Sequence, residues 1–206
     1  MKFEELVSSV GELPLFRGSL LLAGDRDPAD VRRQLSRWEA AGRIVQLRRD
    51  VYVLAEPWRR VKPHPFYVAN ELHRPSYVSL QSALSFHGMI PEAVAVTTSV
   101  TLARPITLDT PLGGFSFRHV RDTAFFGYRR ETVMHGQATL VAEPEKALLD
   151  LVYLTPGGDD PAYIEALRLE GLRDVAEQDL LACAERWGKP KLHRAVDAIL
   201  ELRERE

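Results

Sequence analysis

The chain has a single cysteine in 206 residues, no apolar run long enough to span a bilayer, and no excess of positive charge, its formal net charge being −2. Each scarcity excludes something. One cysteine, Cys183, rules out an internal disulfide and a cysteine-built zinc site. Within the helical stretch "LLACAERW" it is expected to pack as a small hydrophobe. Without a long apolar segment no membrane-spanning helix is expected. The opening "MKFEELVSSVGELP" alternates charge with hydrophobes at helical spacing and lacks the apolar core and cleavage site of a secretory signal, so a cytoplasmic location is expected. Nucleotide-binding and hydrolase signatures are missing too: there is no G-x-x-x-x-G-K-[ST], no G-x-S-x-G and no H-E-x-x-H.

What is present is an ordinary globular composition, 45% hydrophobic and 27% charged, which argues against extensive disorder. At this length two modest domains are expected. The charge is unevenly placed. Residues 26–62 carry ten Arg or Lys against five acids, net +5, which leaves seventeen against twenty-four, net −7, for the rest. A basic segment in an acidic chain suggests a polyanionic partner met by one part of the molecule, a solvated helix face being the plainer alternative.

Local patterning gives that segment a shape. Phe3 to Val10 reads as a first helix, and "LFRGSLLLAG" as a second, short helical segment. Asp27 suits an N-cap, Pro28 the first helical position and Gly42 a left-handed exit, which defines a third helix from about 28 to 41. On it Val31, Leu35 and Trp38 fall within about 60° of each other and form the buried stripe. Trp38 is therefore expected in the core. Arg33, Ser36, Arg37 and Ala40 fall opposite, with Arg32 on the flank. The runs "RIVQL" and "VYVLA", separated by Arg48, Arg49 and Asp50, read as a hairpin with a charged tip. Three helices and a basic-tipped hairpin are the order of a winged helix-turn-helix. In that reading Arg33, Ser36 and Arg37 approach bases in double-stranded DNA, while Arg32, Arg43, Arg48 and Arg49 hold phosphates.

The reading divides the chain into a winged-helix domain, 1–58, a linker, 59–65, and an α+β domain, 66–206. "AEPWRRVKPHPFY" reads as an extended connector, where Arg59, Arg60 and Lys62 either lengthen the phosphate track or solubilise the linker. Beyond it, helices are expected over 65–73 and from a Ser79 cap to His87. Strands are expected around 93–102, 115–120 and 138–142, with "TPLGG" as a turn. "EPEKALLDLVYL" reads as a helix starting near Pro144, apolar almost all round and so buried against a sheet. Helices follow from Asp160 onward, the last two separated by Gly188 and Pro190. The fold class is α+β: a winged helix, then a sheet packed with helices, then C-terminal helices.

Chemistry beyond binding has few candidates. His87 at a helix end reads as structural. Glu143, Glu145, Lys146 and Asp150 could serve a metal-dependent nuclease if they lay on a strand, but Pro144 puts them at a helix start, where acids complement the dipole. Lys146 and Asp150 also have ion-pair spacing. The expectation is a non-enzyme with no catalytic residue, metal or cofactor. Two alternatives stay open: a nuclease guided by the basic domain, and a winged helix that contacts only protein.

Four blocks resemble the AbiEi family of antitoxins, from type IV toxin-antitoxin systems associated with abortive infection of bacteria by phage. They are "RRQLSRWEAAGRIVQLRRDVYVL", "YVANELHRPSYVSLQSALSFHGMIPE", "TPLGGFSFRHV" with "FFGY", and "VAEPEKALLDLVYL", spanning most of residues 30–154 in the family's order. The resemblance implies a cytoplasmic repressor that binds the promoter of its own operon. It implies a second domain that counters a nucleotidyltransferase-like toxin without forming a stable complex with it. Absent such a toxin, the chain would be a solitary regulator. Asp50 departs from the family, whose members commonly have glycine at the wing turn. Aspartate tolerates left-handed angles, but its carboxylate beside Arg48 and Arg49 is expected to weaken phosphate contact.

Overall fold

The computed structural model describes residues 1–22 and 26–205. Phe3, Leu6 and Val10 recur at helical spacing, and α1 spans Phe3–Val10 with those three side chains buried. The second helical segment expected in "LFRGSLLLAG" needs correction. Phe16–Arg17 forms a strand, β1, and only Gly18–Leu22 is helical, as a 3-10 turn; residues 23 and 24 lie outside the described residues. The reason is tertiary: Phe16 and Arg17 pair antiparallel with Tyr52 and Val51, from the far end of the unit.

α2 spans Pro28–Ala40. Its start is set by Asp27, whose Oδ1 accepts from the Ala29 amide at 2.6 Å, and its exit by Gly42 at φ +65°. Val31, Leu35 and Trp38 are all buried, and the Trp38 ring meets Phe3 edge-on at 5.6 Å. Strands β2, Ile44–Arg48, and β3, Val51–Leu54, follow as an antiparallel hairpin, and the small sheet has the order β1-β3-β2.

This small sheet is covered on both faces. Ile44, Tyr52 and Leu54 join Phe3, Leu6, Val31, Leu35 and Trp38 in the N-terminal core. Leu47, Val51 and Val53 belong instead to the large core of the rest of the chain. All four residues of β3 are therefore buried, Val51 and Val53 in one core and Tyr52 and Leu54 in the other. Each buried Val or Leu on the second face contributes on the order of 1.5–3 kcal/mol, so the two units share a substantial apolar seam.

The connector is irregular and fastened. Gln137 Nε2 donates to the Lys62 carbonyl at 3.0 Å, and its Oε1 accepts from the His64 amide at 2.9 Å. Beyond it come α3 (Pro65–Leu72), β4 (Ser76–Val78), α4 (Leu80–Phe86) and β5 (Val96–Thr101). Next are β6 (Ile106–Thr110), β7 (Gly113–His119), β8 (Tyr128–Val133), β9 (Gln137–Ala142) and α5 (Pro144–Leu154). The chain ends with α6 (Pro161–Ala166), α7 (Glu177–Trp187) and α8 (Pro190–Arg205). The six-stranded sheet has the order β6-β7-β5-β4-β9-β8, with β4/β9 and β5/β7 parallel. Three of these strands, β4, β6 and β8, have no counterpart in the sequence reading. β6 and β8 are sheet edges with polar, half-exposed sequences, and β4 has only three residues. The protein is a mixed α+β molecule with helices packed on sheets. Among the described residues no helix is long and apolar enough to cross a membrane.

Candidate nucleic-acid interface

The seven basic or hydroxyl residues singled out from the sequence fall into three groups. Arg32 and Ser36 on α2 line a groove of about 520 Å³ together with Gln46, Arg49 and Asp50 of the hairpin and with Gly18, Ser19 and Pro28. Arg33 and Arg37 line a separate hollow on the other flank of α2 with Asp30 and Gln34. Arg43 and Arg48 belong to neither. Gln46 was not singled out from the sequence. The available signal was its place as the polar position between Val45 and Leu47 on a strand, which makes it the outward one.

Engagement separates the cations further. The Arg32, Arg37 and Arg49 side chains are exposed, and their guanidinium groups carry no ion pair or hydrogen bond among the described residues. Arg33 is paired with Asp30 one turn earlier, with both side chains about two-thirds exposed (69% and 65%). An exposed pair of this kind is worth about 0.2–1 kcal/mol and opens readily to a competing anion. The Arg43 guanidinium sits over the Phe3 ring at 4.9 Å and is half-buried.

Arg48 departs most from its expected position at the hairpin tip. Its Nη1 donates to the Leu72 carbonyl at 2.6 Å and lies 2.7 Å from His73 Nδ1, so the side chain turns away from the groove toward α3.

Asp50 also has a different role from the one its charge suggested. It adopts φ +65°, the left-handed conformation foreseen for it. Its carboxylate, however, accepts from Ser19 at both oxygens, from the amide at 2.8 Å and from the hydroxyl at 2.9 Å, while its carbonyl accepts from the Gly18 amide at 3.2 Å. The acid is thus a clasp between the hairpin turn and the 3-10 turn. Gly18 is required by that closeness, because a Cβ there would stand 2.9 Å from both Asp50 Oδ1 and Leu35 Cδ1. Burial, with Glu39 and Asp50 adding to it, holds the neighbouring Tyr52 hydroxyl above its ordinary pKa.

The nuclease candidates lie elsewhere and are differently arranged. Lys146 and Asp150 do pair at i, i+4 on α5, as the spacing suggested, but both are fully buried. Tyr77 Oη and Ser79 Oγ donate to the second Asp150 oxygen at 2.9 and 2.7 Å. Ser79 precedes α4 as expected, yet its hydroxyl is spent on Asp150 and does not cap the helix. The Lys146 ammonium lies 4.6–5.4 Å from the Trp187, Phe126 and Tyr77 ring centres. Burial pushes the Asp150 carboxyl up, opposed by Lys146 and the two hydroxyl donors. It also pushes the half-buried Glu145 up, and the Cys183 thiol up to about 12. Among the described residues no three His, Cys, Asp or Glu side chains gather as a metal site. His87 bonds the Ala142 carbonyl through Nε2 at 2.8 Å, the structural role expected of it.

The class these features define is a mixed α+β protein in which a small helix-and-hairpin unit with an arginine-lined groove is seated on a larger helix-covered sheet. No family model and no curated protein matches the chain. Among solved structures its fold is similar to the crystal structure of the RV2827C protein from Mycobacterium tuberculosis. The TM-score is 0.54 at 16% identity, over 95% of this chain and 76% of that one. At that identity the likeness is one of fold.

Proposed function

We propose that this chain is a DNA-binding regulator of the antitoxin type, whose residues 1–58 form a winged helix-turn-helix that represses its own promoter. The second domain would counter a nucleotidyltransferase-like toxin by opposing its action, without a stable complex and without chemistry of its own. The observation that carries the DNA reading is the groove between α2 and the hairpin, lined by Arg32 and Ser36 of the helix and Gln46 and Arg49 of the hairpin. Exposed cations without carboxylate partners, gathered on one part of a chain of net charge −2, leave a positive surface open to a polyanion. The helix supplies the surface that enters a major groove, and the hairpin the surface that follows the backbone. Serine and glutamine can bond base edges, while Arg32 and Arg49 are placed for phosphates. Arg33 and Arg37, on the far flank of α2, reach bases or phosphates one step along the duplex. The antitoxin part of the proposal rests on the four-block resemblance.

The test is a titration of the protein on its own upstream DNA at several salt concentrations. Four neutralised phosphates, one each for Arg32, Arg33, Arg37 and Arg49, give a logarithmic salt slope of about −4. Arg32→Ala, Arg37→Ala and Arg49→Ala should each weaken binding and flatten the slope by about one charge, with stability unchanged within about 0.5 kcal/mol. A flat salt dependence in the wild-type protein would overturn the reading.

A further inference from the structure

The hairpin is held from two sides, and one of its fastenings lies in the other unit. Pairing between β2 and β3 is regular from Ile44 opposite Leu54 to Gln46 opposite Tyr52, then shifts, so that Arg48 stands opposite Val51. The extra residue is Leu47. Such a bulge breaks strict alternation and re-aims the side chains that follow it. Here Leu47 is buried in the large core, and Arg48 is directed at the C-terminal end of α3, where it meets the Leu72 carbonyl and His73 Nδ1.

His73 extends the chain of contacts. Only 8% exposed, it lies edge-on to Phe117 at 4.9 Å, and its Nε2 bonds the Arg104 carbonyl at 2.9 Å. A carbonyl only accepts, so Nε2 carries the hydrogen, which leaves Nδ1 as the acceptor for Arg48. The tautomer is thereby set from both ends. Arg48 is thus joined through one imidazole to the segment between β5 and β6, more than fifty residues further along the chain. A second tie runs parallel to it, from Arg17 on β1 to the Glu71 carboxylate and carbonyl on α3, both at 3.1 Å.

We infer that Arg48 is a positioning residue, which sets the angle of the hairpin against the second unit through His73 and so makes DNA affinity depend on that unit. The inference rests on the DNA-binding reading for its consequence but not for the coupling itself. It assigns Arg48 no phosphate. Coupling of this kind is reciprocal: whatever binds the α3 end or the segment after β5 shifts the hairpin, and DNA on the hairpin shifts affinity there.

Three variants test it: Arg48→Ala, His73→Ala and the double variant. Amide hydrogen exchange of residues 44–54 in the free protein and salt-dependent DNA titration are both measured. The expected result is faster exchange over 44–54 in all three and affinity reduced about fivefold or more, with the wild-type salt slope retained. The double variant should be no worse than Arg48→Ala, because Arg48→Ala already removes the link through His73 together with the bond to Leu72. Arg48→Met, which keeps the stem and removes only the donor, carries the same measurement if His73→Ala fails to fold. Unchanged exchange in Arg48→Ala and His73→Ala would overturn the inference. So would a slope flattened by about one charge in Arg48→Ala with binding intact in His73→Ala, which would make Arg48 a phosphate ligand. Should the wild-type protein bind no DNA, the functional reading falls while the exchange data still decide the coupling.

Discussion

Arg37 on α2 and Lys146 on α5 are both helical cations, and they are held in opposite ways. The Arg37 guanidinium is exposed and without an ion-pair or hydrogen-bond partner among the described residues, beside Arg33 and Asp30 in an open hollow. Lys146 is fully buried, paired with Asp150 and surrounded by three aromatic rings. A charge in the interior persists only if the fold satisfies it, so its environment speaks of architecture. A charge left unsatisfied at the surface costs the fold little and is free for a partner. The two regions thus divide the molecule into a part whose charges are satisfied within the fold and a part whose charges face solvent.

The comparison is most sharply broken at Asp150. Asp150→Ala strands a buried ammonium along with the Tyr77 and Ser79 hydroxyls, and should destabilise by about 3–5 kcal/mol in urea unfolding. Lys146→Met with Asp150→Leu should recover most of that loss, since a matched apolar pair has no charge to desolvate. A single variant that unfolds like the wild-type protein would mean that the pair is solvated. In the basic region, Asp50→Gly should lower stability by about 1–2 kcal/mol, because it preserves φ +65° but removes both Ser19 bonds. Its charge alone would lead one to expect only tighter DNA binding, and unchanged stability with stronger binding would restore that simpler view.

The smallest expected effect concerns His64 at the seam. Its Nδ1 accepts from the Phe66 amide at 3.2 Å, and burial holds its pKa below the ordinary value. The unfolded chain therefore takes up the proton first. Stability from this group is complete above the ordinary histidine range and is lost as pH falls through about 6.5 toward the folded value. Urea midpoints at pH 7.5 and 5.5 should differ more in the wild-type protein than in His64→Asn, which keeps an N-cap acceptor without titrating. Equal differences would remove His64 from the pH dependence.

Much of the basic unit was legible in the sequence because its signals are local. The Asp27 cap, the Gly42 exit and the Val31, Leu35, Trp38 stripe each involve residues within about one or two turns, and all are found in the fold. Six of the seven expected contact residues remain outside the seam with the second unit, Arg43 among them turning to Phe3, and only Arg48 enters it. Arg48 was not legible. Nothing in "RIVQLRRDVYVL" announces that Leu47 is an extra residue, and that one shift exchanges which side chains face the groove and which face α3. The edge strands β6 and β8 escaped for a related reason, since charged edges resemble loops when pairing is unknown.

The sequence by itself determined the charge asymmetry, the boundaries of α2 and its buried face, because helix periodicity and capping are read from neighbours along the chain. Only the tertiary structure decided that the small sheet is buried on both faces, that Asp50 clasps Ser19 and that Arg48 is tied to His73. A strand covered on two sides loses the period-two pattern that marks one covered side, and its partners lie tens of residues away. Which side chain each residue meets there is settled by register and packing, properties of the assembled chain.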